Sequence, residues 1–332
     1  MDPAELRTVL VTGGAGYIGS HTCKLLAQAG IRPVAFDNLG SGHRWAVRWG
    51  PLIEGDLSHV DEISDVIRRH DIDSVIHFAA SISVGESVRE PLAYYRNNLV
   101  GTLNLLEAMR NGNVKRLIFS SSAAIYGTPE EVPIPETHRY APVSPYGQTK
   151  LDCENAIRWV GAAHGIRSIC LRYFNASGAD ASAEIGEAHE PETHLIPLAI
   201  LAAMGRHPEL AVFGADYPTP DGTAIRDYIH VSDLAQAHIR GLEVLAAGAP
   251  SCAVNVGTGR GHSVMEVIRS VEKASGRPVP HRIAPRREGD PAALIADARK
   301  AREVLDWRPS VESLDEIVLT AWEWHRRHHG QV

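Results

Sequence analysis

The chain has 332 residues, of which 44% are hydrophobic and 22% are charged. This length and composition predict a large buried core, organised as two domains or as one large α/β unit. The net charge is −7, from 33 basic and 40 acidic residues. It argues against a nucleic acid partner, because a groove that follows a phosphate backbone needs a basic excess. An anionic ligand must therefore be held by local donors.

The chain carries no signal for secretion or membrane insertion. Its first residues, MDPAELR, are acidic and polar, unlike a secretory signal. The most apolar window, residues 195–204, is far shorter than the ~20 residues that span a bilayer. Four cysteines show neither a CxxC pair nor a histidine at ligand spacing: Cys23, Cys153, Cys170 and Cys252. We interpret them as reduced thiols and expect a cytoplasmic protein with no membrane partner.

Short β-branched runs alternate with helical periods through the first half of the chain. The predicted strands are residues 8–12, 33–37, a run ending at Asp56, 74–80, 116–122 and 168–174. The predicted helices between them are residues 17–30, 60–70, 97–109 and 146–164. This alternation predicts a doubly wound parallel sheet covered by helices on both faces.

The alternation breaks after Asn175. Residues 176–193 are rich in Ala, Gly and acidic residues, which we interpret as a functional loop or lid. Pro and Gly are dense between residues 205 and 222, and later elements are shorter. We expect a smaller C-terminal α/β domain there, while a helix at 231–245 and a strand at 252–257 return to the first domain.

A glycine-rich turn follows the first strand directly. The segment TGGAGYIGS places Gly13, Gly16 and Gly19 at GxxGxxG spacing. These glycines allow a tight turn and a close backbone approach, and the next helix directs free N–H groups at a pyrophosphate. Asp37 closes the second strand, where a carboxylate accepts from both ribose hydroxyls of NAD and repels the extra phosphate of NADP. The predicted cofactor is NAD.

A second motif places a tyrosine and a lysine one helical turn apart. In SPYGQTK, Tyr146 and Lys150 share a helix face. An ammonium near a phenol favours the phenolate. We expect this charge, with the positive nicotinamide ring, to lower the pKa of Tyr146 from ~10 and make it a base. Ser122, at the end of the fifth strand, is placed to bond the same substrate hydroxyl.

These motifs together resemble the extended branch of the short-chain dehydrogenase/reductase superfamily. The resemblance implies a Rossmann-type NAD-binding domain over residues 1–175, with 230–258 returning to it, and a catalytic set of Ser122, Tyr146 and Lys150. It also implies that Asp56 bonds the adenine and that Asn97 supports the cofactor's floor. The implied cofactor contacts are Gly13, Gly16, Tyr17, Ile18, Gly19, Asp37, Asn38, Asp56, Leu57, Phe78, Ala79, Ala80, Asn97, Ser120, Tyr146, Lys150 and Tyr173.

Seven stretches, which run from the N-terminus to about Trp307, are similar to UDP-glucose 4-epimerases at near-identity. They are VTGGAGYIGSHT, VGESVREPLAYYRNN, SSSAAIYG, SPYGQTKL, LRYFNASGA, GTAIRDYIHVSDLA and APRREGD. The resemblance implies an isomerase of carbohydrate (galactose) metabolism. Tyr146 takes the C4 hydroxyl proton while hydride leaves for NAD, the 4-keto sugar turns, and hydride and proton return to its other face. It also implies a homodimer that pairs helices 97–109 and 146–164.

The same resemblance implies a UDP-sugar-binding domain over residues 176–229 and 259–332. Its expected contacts are Ser122, Tyr146, Asn175, His194, Leu195, Phe213, Arg226, Tyr228, Arg287, Asp290 and Leu294. Two of them, Arg226 and Arg287, suit a pyrophosphate, because a guanidinium fork matches phosphate oxygens. In this assignment Phe213 packs on the uracil.

Three positions depart from the family pattern. Ile82 stands where some of these epimerases have a lysine near the cofactor. His194 precedes Leu195 where an Asn-Leu pair often contacts the nucleotide, so His194 either substitutes or caps the next helix. Leu294 is intermediate between the large tyrosine that restricts the sugar pocket and the small residues that admit N-acetylated sugars. The expected pair is UDP-glucose and UDP-galactose, with slow turnover of UDP-GlcNAc.

The sequence also bears on several alternative functions. A 4,6-dehydratase needs an Asp-Glu pair directly after the strand serine, and this chain has Ala123 and Ala124 there. A 4-epimerase of UDP-GlcNAc, a UDP-pentose or a UDP-uronate stays open as the alternative. A non-catalytic NAD-binding regulator is disfavoured, because the serine, tyrosine and lysine are all present. The histidines in residues 325–329 are interpreted as part of a solvated helix, and no metal is expected.

Overall fold

The central strands are buried along most of their length, because both faces of their sheet are covered. In the computed structural model, which describes residues 6–287 and 289–330, every residue of Thr8–Thr12 is buried. Successive strand residues point to opposite faces. Accordingly Val9 and Val11 join one core cluster, and Leu10 joins another on the opposite face.

The elements follow one another as alternating strands and helices in the first half of the chain. The strands are β1 (Thr8–Thr12), β2 (Arg32–Asp37), β3 (Leu52–Glu54), β4 (Ser74–His77), β5 (Arg116–Ser122), β6 (Arg167–Tyr173), β7 (Asn175–Ser177), β8 (Leu210–Phe213), β9 (Ile225–Arg226), β10 (Tyr228–His230), β11 (Cys252–Val256), β12 (His262–Ser263), β13 (His281–Ala284) and β14 (Ala293–Leu294). The α-helices are α1 (Tyr17–Gln28), α2 (Val60–Arg69), α3 (Val84–Arg89), α4 (Pro91–Tyr94), α5 (Gly101–Asn111), α6 (Pro145–His164), α7 (Leu195–Ala203), α8 (Val231–Ala246), α9 (Val264–Ser275), α10 (Arg299–Leu305) and α11 (Leu314–His328).

Seven parallel strands form the main sheet in the order β11-β6-β5-β4-β1-β2-β3. The cores place α1, α8 and α10 on one face and α2, α5 and α6 on the other. The prediction of a doubly wound parallel sheet is confirmed. The strand order reverses between β1 and β4, and sheets of this kind bind ligands at the carboxyl ends of the strands beside such a reversal.

The second half of the chain builds smaller sheets and its own core. Strands β12, β9 and β14 form a three-stranded sheet, and β10-β7 and β13-β8 form pairs. Helices α7, α9 and α11 pack into a third hydrophobic cluster. Strand β11 pairs with β6 in the main sheet. The division into residues 1–175 with 230–258, and 176–229 with 259–332, stays a prediction.

Two elements differ from their predicted form: one strand is shorter, and one helix begins with a π-helical turn. The fourth strand ends at His77 instead of residue 80, because the N–H groups of Phe78 and Ala79 both donate to the carbonyl of Thr12, at 2.9 and 3.1 Å. The helix predicted from Asn97 begins as a π-helical turn, Tyr95–Val100, before α5. Such turns are frequent at functional sites.

The most apolar window of the sequence forms helix α7, which is buried in the third cluster. Within the described ranges, no helix is both long and apolar enough to cross a membrane.

Candidate active site

The glycine turn between β1 and α1 leaves no room for side chains. A Cβ atom on Gly13, whose φ is +73°, would lie 2.7 Å from the backbone nitrogen of Ala79. A Cβ atom on Gly19 would lie 2.1 Å from the carbonyl oxygen of Gly13. Helix α1 then begins after Gly16 without a side-chain cap. Its first turn, which includes Tyr17 and Ile18, therefore offers backbone N–H groups to an anion.

Asp37 lies beside this turn at the end of β2. Its carboxylate accepts hydrogen bonds from the backbone N–H groups of Ala15 at 3.0 Å and Leu39 at 2.8 Å. Burial raises the pKa of Asp37, and the two N–H donors oppose that rise. Each oxygen keeps further acceptor capacity. The structure thus places a buried carboxylate against the glycine turn, as a ribose acceptor requires.

Three more predicted cofactor contacts meet next to Asp37. The Asn38 side chain donates to the Asp56 carboxylate at 2.8 Å, and this hydrogen bond is the largest cause of the lowered pKa of Asp56. Leu57 packs closely against the start of α5, because a Cβ atom on Gly101 would lie 3.2 Å from the Cβ of Leu57. The structure therefore brings the residues predicted for the adenine end together.

Asn98, which the sequence patterns did not indicate, connects the segment after β4 to helix α6. Asn97, the predicted residue, is exposed and donates to the Ser81 hydroxyl at 3.1 Å. Asn98 is buried: its side-chain Oδ1 accepts from the Ser81 N–H at 2.8 Å, and its Nδ2 donates to the Thr149 hydroxyl at 3.1 Å. Asn98 thus ties the segment after β4, which contains Ala80, to the helix of Tyr146. The two consecutive asparagines at 97 and 98 are the sequence feature that could have indicated this residue.

Ser122, Tyr146 and Lys150 meet at the carboxyl end of β5. Helix α6 is capped by the Ser144 hydroxyl, which accepts from the Gly147 N–H at 3.2 Å. The Lys150 ammonium donates to the carbonyl of Ser120 at 2.8 Å and lies 6.0 Å from the ring centroid of Tyr146. The predicted trio is therefore assembled by one strand end and one helix.

The expected lowering of the Tyr146 pKa is not found in this ligand-free chain. Burial raises the pKa of Tyr146, and a hydrogen bond with the Ser122 side chain acts in the opposite direction. Burial also lowers the pKa of Lys150 to about 8. The physical reason is desolvation, because a buried site disfavours the charged form of both groups. A phenolate here needs further positive charge.

Aromatic side chains stand beside the trio. The Tyr173 hydroxyl is hydrogen-bonded to the Ser120 hydroxyl at 2.8 Å, and burial raises the pKa of Tyr173. The Phe78 ring lies 4.6 Å from the ring of His238 in α8, centroid to centroid, and the Tyr173 ring lies 6.3 Å from it. Two predicted cofactor contacts, Phe78 and Tyr173, therefore flank the same helix.

Next to the trio lies a buried ion pair that the sequence patterns did not predict. Glu154 follows Lys150 by one helical turn on α6, and Arg172 lies on β6. The guanidinium binds both carboxylate oxygens, with Nε–Oε1 at 2.9 Å and Nη2–Oε2 at 2.6 Å. Ser121 donates to the same carboxylate at 2.5 Å, and Arg172 also donates to Tyr126 at 3.0 Å. These contacts fix α6 against β5 and β6.

On the substrate side, two predicted arginines are already engaged. Arg226 pairs with Asp290 at 2.5 Å, and the guanidinium carbon of Arg287 lies 4.0 Å from the ring centroid of Phe213. Leu294 is in register with Arg226 across β14 and β9. These residues, predicted from three separate stretches of sequence, lie in adjoining elements of the second domain.

Other predicted substrate residues link that domain to the main sheet. Leu294 packs against a hydrophobic cluster of Ala123, Ile125, Tyr126 and Ile134, the first of which follows Ser122. The Asn175 N–H donates to the carbonyl of Asp227 at 3.0 Å. Tyr228 is buried, and burial raises its pKa. These contacts connect predicted substrate residues to the end of the main sheet.

His194 neither caps α7 with its side chain nor stands alone. It precedes Leu195 at the helix N-terminus without a side-chain cap, and its Nδ1 contacts the carboxylate of Glu187. His189 and Glu192 join them, and one ligand atom from each of the four lies within 4.8 Å of every other. We call Glu187, His189, Glu192 and His194 the Glu187 cluster.

The interpretation of the C-terminal histidines as a solvated helix is wrong for one face of α11. His325 is buried, together with Trp322 and Trp324. Burial lowers the pKa of His325 to about 4. The alternation of apolar and basic residues in α11 hides a helical face that packs into the third cluster.

Known proteins of similar sequence and structure show the family of this chain. The NAD dependent epimerase/dehydratase family matches residues 9–257. A UDP-glucose 4-epimerase of Rhizobium leguminosarum bv. trifolii is 52% identical, over 96% of this chain and 98% of its own length. The crystal structure of UDP-glucose 4-epimerase from Brucella ovis in complex with NAD has a TM-score of 0.94 and 51% identity, covering 96% of this chain and 98% of that one. The enzyme from Bifidobacterium longum in complex with NAD+ and UDP has a TM-score of 0.92 and 41% identity, covering 97% and 99%.

We predict that Glu154→Gln lowers the free energy of unfolding by about 3–5 kcal/mol, because it leaves the buried Arg172 charge without its partner. Asp65→Asn is the matched control, since Asp65 forms exposed pairs with Arg68 and Arg69 and its loss should cost less than about 1 kcal/mol. Urea unfolding of both variants measures the difference. Equal losses would contradict a supporting role for the buried pair.

Proposed function

The chain belongs to the NAD dependent epimerase/dehydratase family and, within it, to the UDP-glucose 4-epimerases, and we propose that it interconverts UDP-glucose and UDP-galactose at C4. The observation that carries this proposal is the assembly of Ser122, Tyr146 and Lys150 at the carboxyl edge of the sheet whose first strand leads into the glycine turn. The chain is also about half identical to such enzymes over nearly its whole length.

The cofactor side of the site fits NAD. The turn at Gly13 and Gly19 packs so closely on the backbone that a Cβ atom would clash there, α1 begins after it without a side-chain cap, and Asp37 supplies a buried acceptor. NAD, when bound, takes hydride from C4 of the sugar and gives it back. Because nothing is oxidised overall, we propose that the chain keeps its cofactor through the cycle.

Tyr146 is the proposed acid and base. As the phenolate it takes the proton from the C4 hydroxyl, and as the phenol it later returns that proton to the C4 oxygen, while C4 receives the hydride on its opposite face. The groups of this chain that favour the phenolate are the hydrogen bond of Ser122 and the ammonium of Lys150. Since the pKa of Lys150 is about 8, that ammonium is present at neutral pH.

The nucleotide half of the substrate anchors the sugar while it turns. We propose that Arg226 and Arg287 bind the diphosphate, because two guanidinium forks match its oxygens. Phe213 carries an arginine over its ring and is the proposed platform for the uracil. Binding energy from the nucleotide does not depend on which sugar face is presented, so both epimers can be held alike.

Leu294 is the proposed gate for the C2 substituent of the sugar. Its side chain packs on the cluster that contains Ala123, the residue after Ser122, and its strand is in register with Arg226. A leucine leaves more room than a tyrosine and less than a serine. The proposed order of substrates is UDP-glucose and UDP-galactose first, with slower UDP-GlcNAc, and other UDP sugars as the alternative.

We further propose a homodimer through the helices that follow β4 and β5. Exposed apolar side chains gather on α3, α4, the π-helical turn, α5 and α6: Val84, Val88, Leu92, Val100, Leu103 and Trp159. Trp159 alone is 66% exposed. These elements contact one another within the chain, so together they present a surface that suits a second copy.

The proposed activity is tested first by following UDP-galactose conversion by purified protein without added NAD, with UDP-GlcNAc and UDP-arabinopyranose in parallel. We expect rapid approach to a UDP-glucose/UDP-galactose mixture, because the cofactor stays bound. Turnover of another UDP sugar alone would move the substrate to the alternative. No turnover of any of them, with or without NAD, would favour a non-catalytic NAD-binding protein.

We predict that Tyr146→Phe lowers kcat by about 10²- to 10⁴-fold, because it removes the group that carries the C4 proton. Tyr95→Phe is the control, since Tyr95 lies in the π-helical turn outside the catalytic trio. Steady-state kinetics on UDP-galactose measure both. Similar rates for Tyr146→Phe and the unaltered chain would rule out Tyr146 as the base.

We predict that Leu294→Ser raises the ratio of UDP-GlcNAc to UDP-glucose turnover by about 10-fold or more, because it opens the space for an N-acetyl group. Leu294→Tyr should lower that ratio. Competition assays with both sugars measure it. An unchanged ratio in both variants would show that Leu294 does not line the sugar pocket.

We predict that Trp159→Asp converts a dimer into a monomer, because a carboxylate cannot be buried unpaired in an apolar interface. Leu319→Asp, on an exposed part of α11, is the control and should remain dimeric. Light scattering after size-exclusion chromatography gives both masses. A monomeric unaltered chain, or a dimeric Trp159→Asp variant, would contradict the proposed interface.

A further inference from the structure

The Glu187 cluster concentrates four metal-binding side chains in eight residues of chain. Its two imidazoles and two carboxylates each offer one ligand atom, and these atoms lie within 4.8 Å of one another. Zinc binds nitrogen and oxygen ligands at about 2.0–2.2 Å in a tetrahedral arrangement, which places neighbouring ligand atoms about 3.3–3.6 Å apart. The four side chains would therefore have to move closer by up to about 1.5 Å to surround one ion.

The burial of the two carboxylates calls for a compensating charge. The side chain of Glu187 is 4% exposed and that of Glu192 is 9% exposed. His189 Nδ1 lies 3.3 Å from the Glu187 carboxylate and 3.7 Å from that of Glu192, yet this buried nitrogen has no hydrogen-bond partner among the described residues. Two carboxylates and two neutral imidazoles together carry the charge that a divalent cation neutralises.

A second unpaired group lies next to the cluster. His325 of α11 is 3% exposed, and neither of its ring nitrogens has a hydrogen-bond partner within the part of the chain that the structure describes. The charges of Glu187 and Glu192 act on it. A buried imidazole without a hydrogen-bond partner is uncommon in proteins. It indicates that this region can take a further polar or charged partner.

We propose that Glu187, His189, Glu192 and His194 bind one divalent transition-metal ion of the zinc class. Imidazole nitrogen with carboxylate oxygen is a donor set that suits such ions. All four ligands come from the protein, so the site is closed and structural, and it supplies no open position for substrate chemistry.

The ion would fasten the segment of residues 178–194 to the start of the cofactor site. Tyr17, the first residue of α1, donates to the carbonyl of Gly178 at 2.6 Å, and its ring lies 6.4 Å from that of His189. His43 contacts the carbonyl of Ala188 at 2.6 Å. The cluster also directly precedes α7. An ion there would thus hold residues 178–194 against α1. Its main effect would be on the stability of the folded chain.

The competing account is a network of protonated histidines and carboxylates without an ion. In the metal-free chain the neighbouring carboxylates raise the pKa of His189 to about 10 despite its burial, so the two accounts share one geometry. They differ in whether the purified chain takes up a stoichiometric metal ion, and this difference decides between them.

The test begins with protein stripped by a chelator and then titrated with Zn²⁺. We expect one Zn²⁺ per chain by calorimetry and by elemental analysis after desalting. We also expect the thermal midpoint to rise by about 5 °C at a hundredfold excess of Zn²⁺ over its Kd. The variants His189→Gln and Glu192→Gln should each weaken binding by more than about 100-fold. Neither readout requires the protein to be active.

His59→Gln is the matched control, because His59 and Glu62 form an exposed His–Glu pair at 3.5 Å. It should bind Zn²⁺ as tightly as the unaltered chain. If His189→Gln does not fold, the Co²⁺ derivative of the unaltered chain decides, since histidine ligation of Co²⁺ gives a visible absorption band that Zn²⁺ removes. Absence of uptake and of the band, or equal binding by His189→Gln and Glu192→Gln, would overturn the proposal.

Discussion

The Glu154 carboxylate and the Arg172 guanidinium meet in a bidentate ion pair, and the catalytic geometry depends on it. One partner lies on α6, one helical turn past Lys150, and the other lies on β6. Because both are buried, neither charge can be satisfied by water if the helix shifts. Ser121 adds a hydrogen bond to the same carboxylate from β5. The ion pair therefore fixes α6, which carries Tyr146, relative to β5, which carries Ser122.

Burial that makes this site precise also opposes its chemistry. Tyr146 and Lys150 are both held away from water, which disfavours phenolate and ammonium alike. Their opposite charges favour each other, and a positively charged cofactor ring adds to the same effect. Desolvation thus favours the neutral forms of both groups, and a neighbouring positive charge favours the phenolate.

The two halves of the molecule meet through short elements instead of a broad sheet. Leu294 of β14 packs on the cluster that contains Ala123 and Ile125, and β9 in the same small sheet carries Arg226. The Asn175 N–H donates to the carbonyl of Asp227. The segment that contains the Glu187 cluster contacts α1 through Tyr17. The two halves are thus joined at several separate places.

Local patterns in the sequence determined much of this protein by themselves. The GxxGxxG turn, Asp37 and the Tyr146–Lys150 spacing lie within single strand–helix units, where steric limits and helical periodicity act over a few residues. The doubly wound sheet followed from the same alternation. Only the tertiary structure decided which distant groups meet. The Glu154–Arg172 pair and the role of Asn98 join elements far apart in sequence, and the direction of the Tyr146 pKa depends on how much water the fold excludes. The Glu187 cluster is local in sequence, but only the folding of its segment against α1 and α11 brings its ligand atoms together and buries its carboxylates. Packing and desolvation are properties of the whole fold, and no short stretch of sequence contains them.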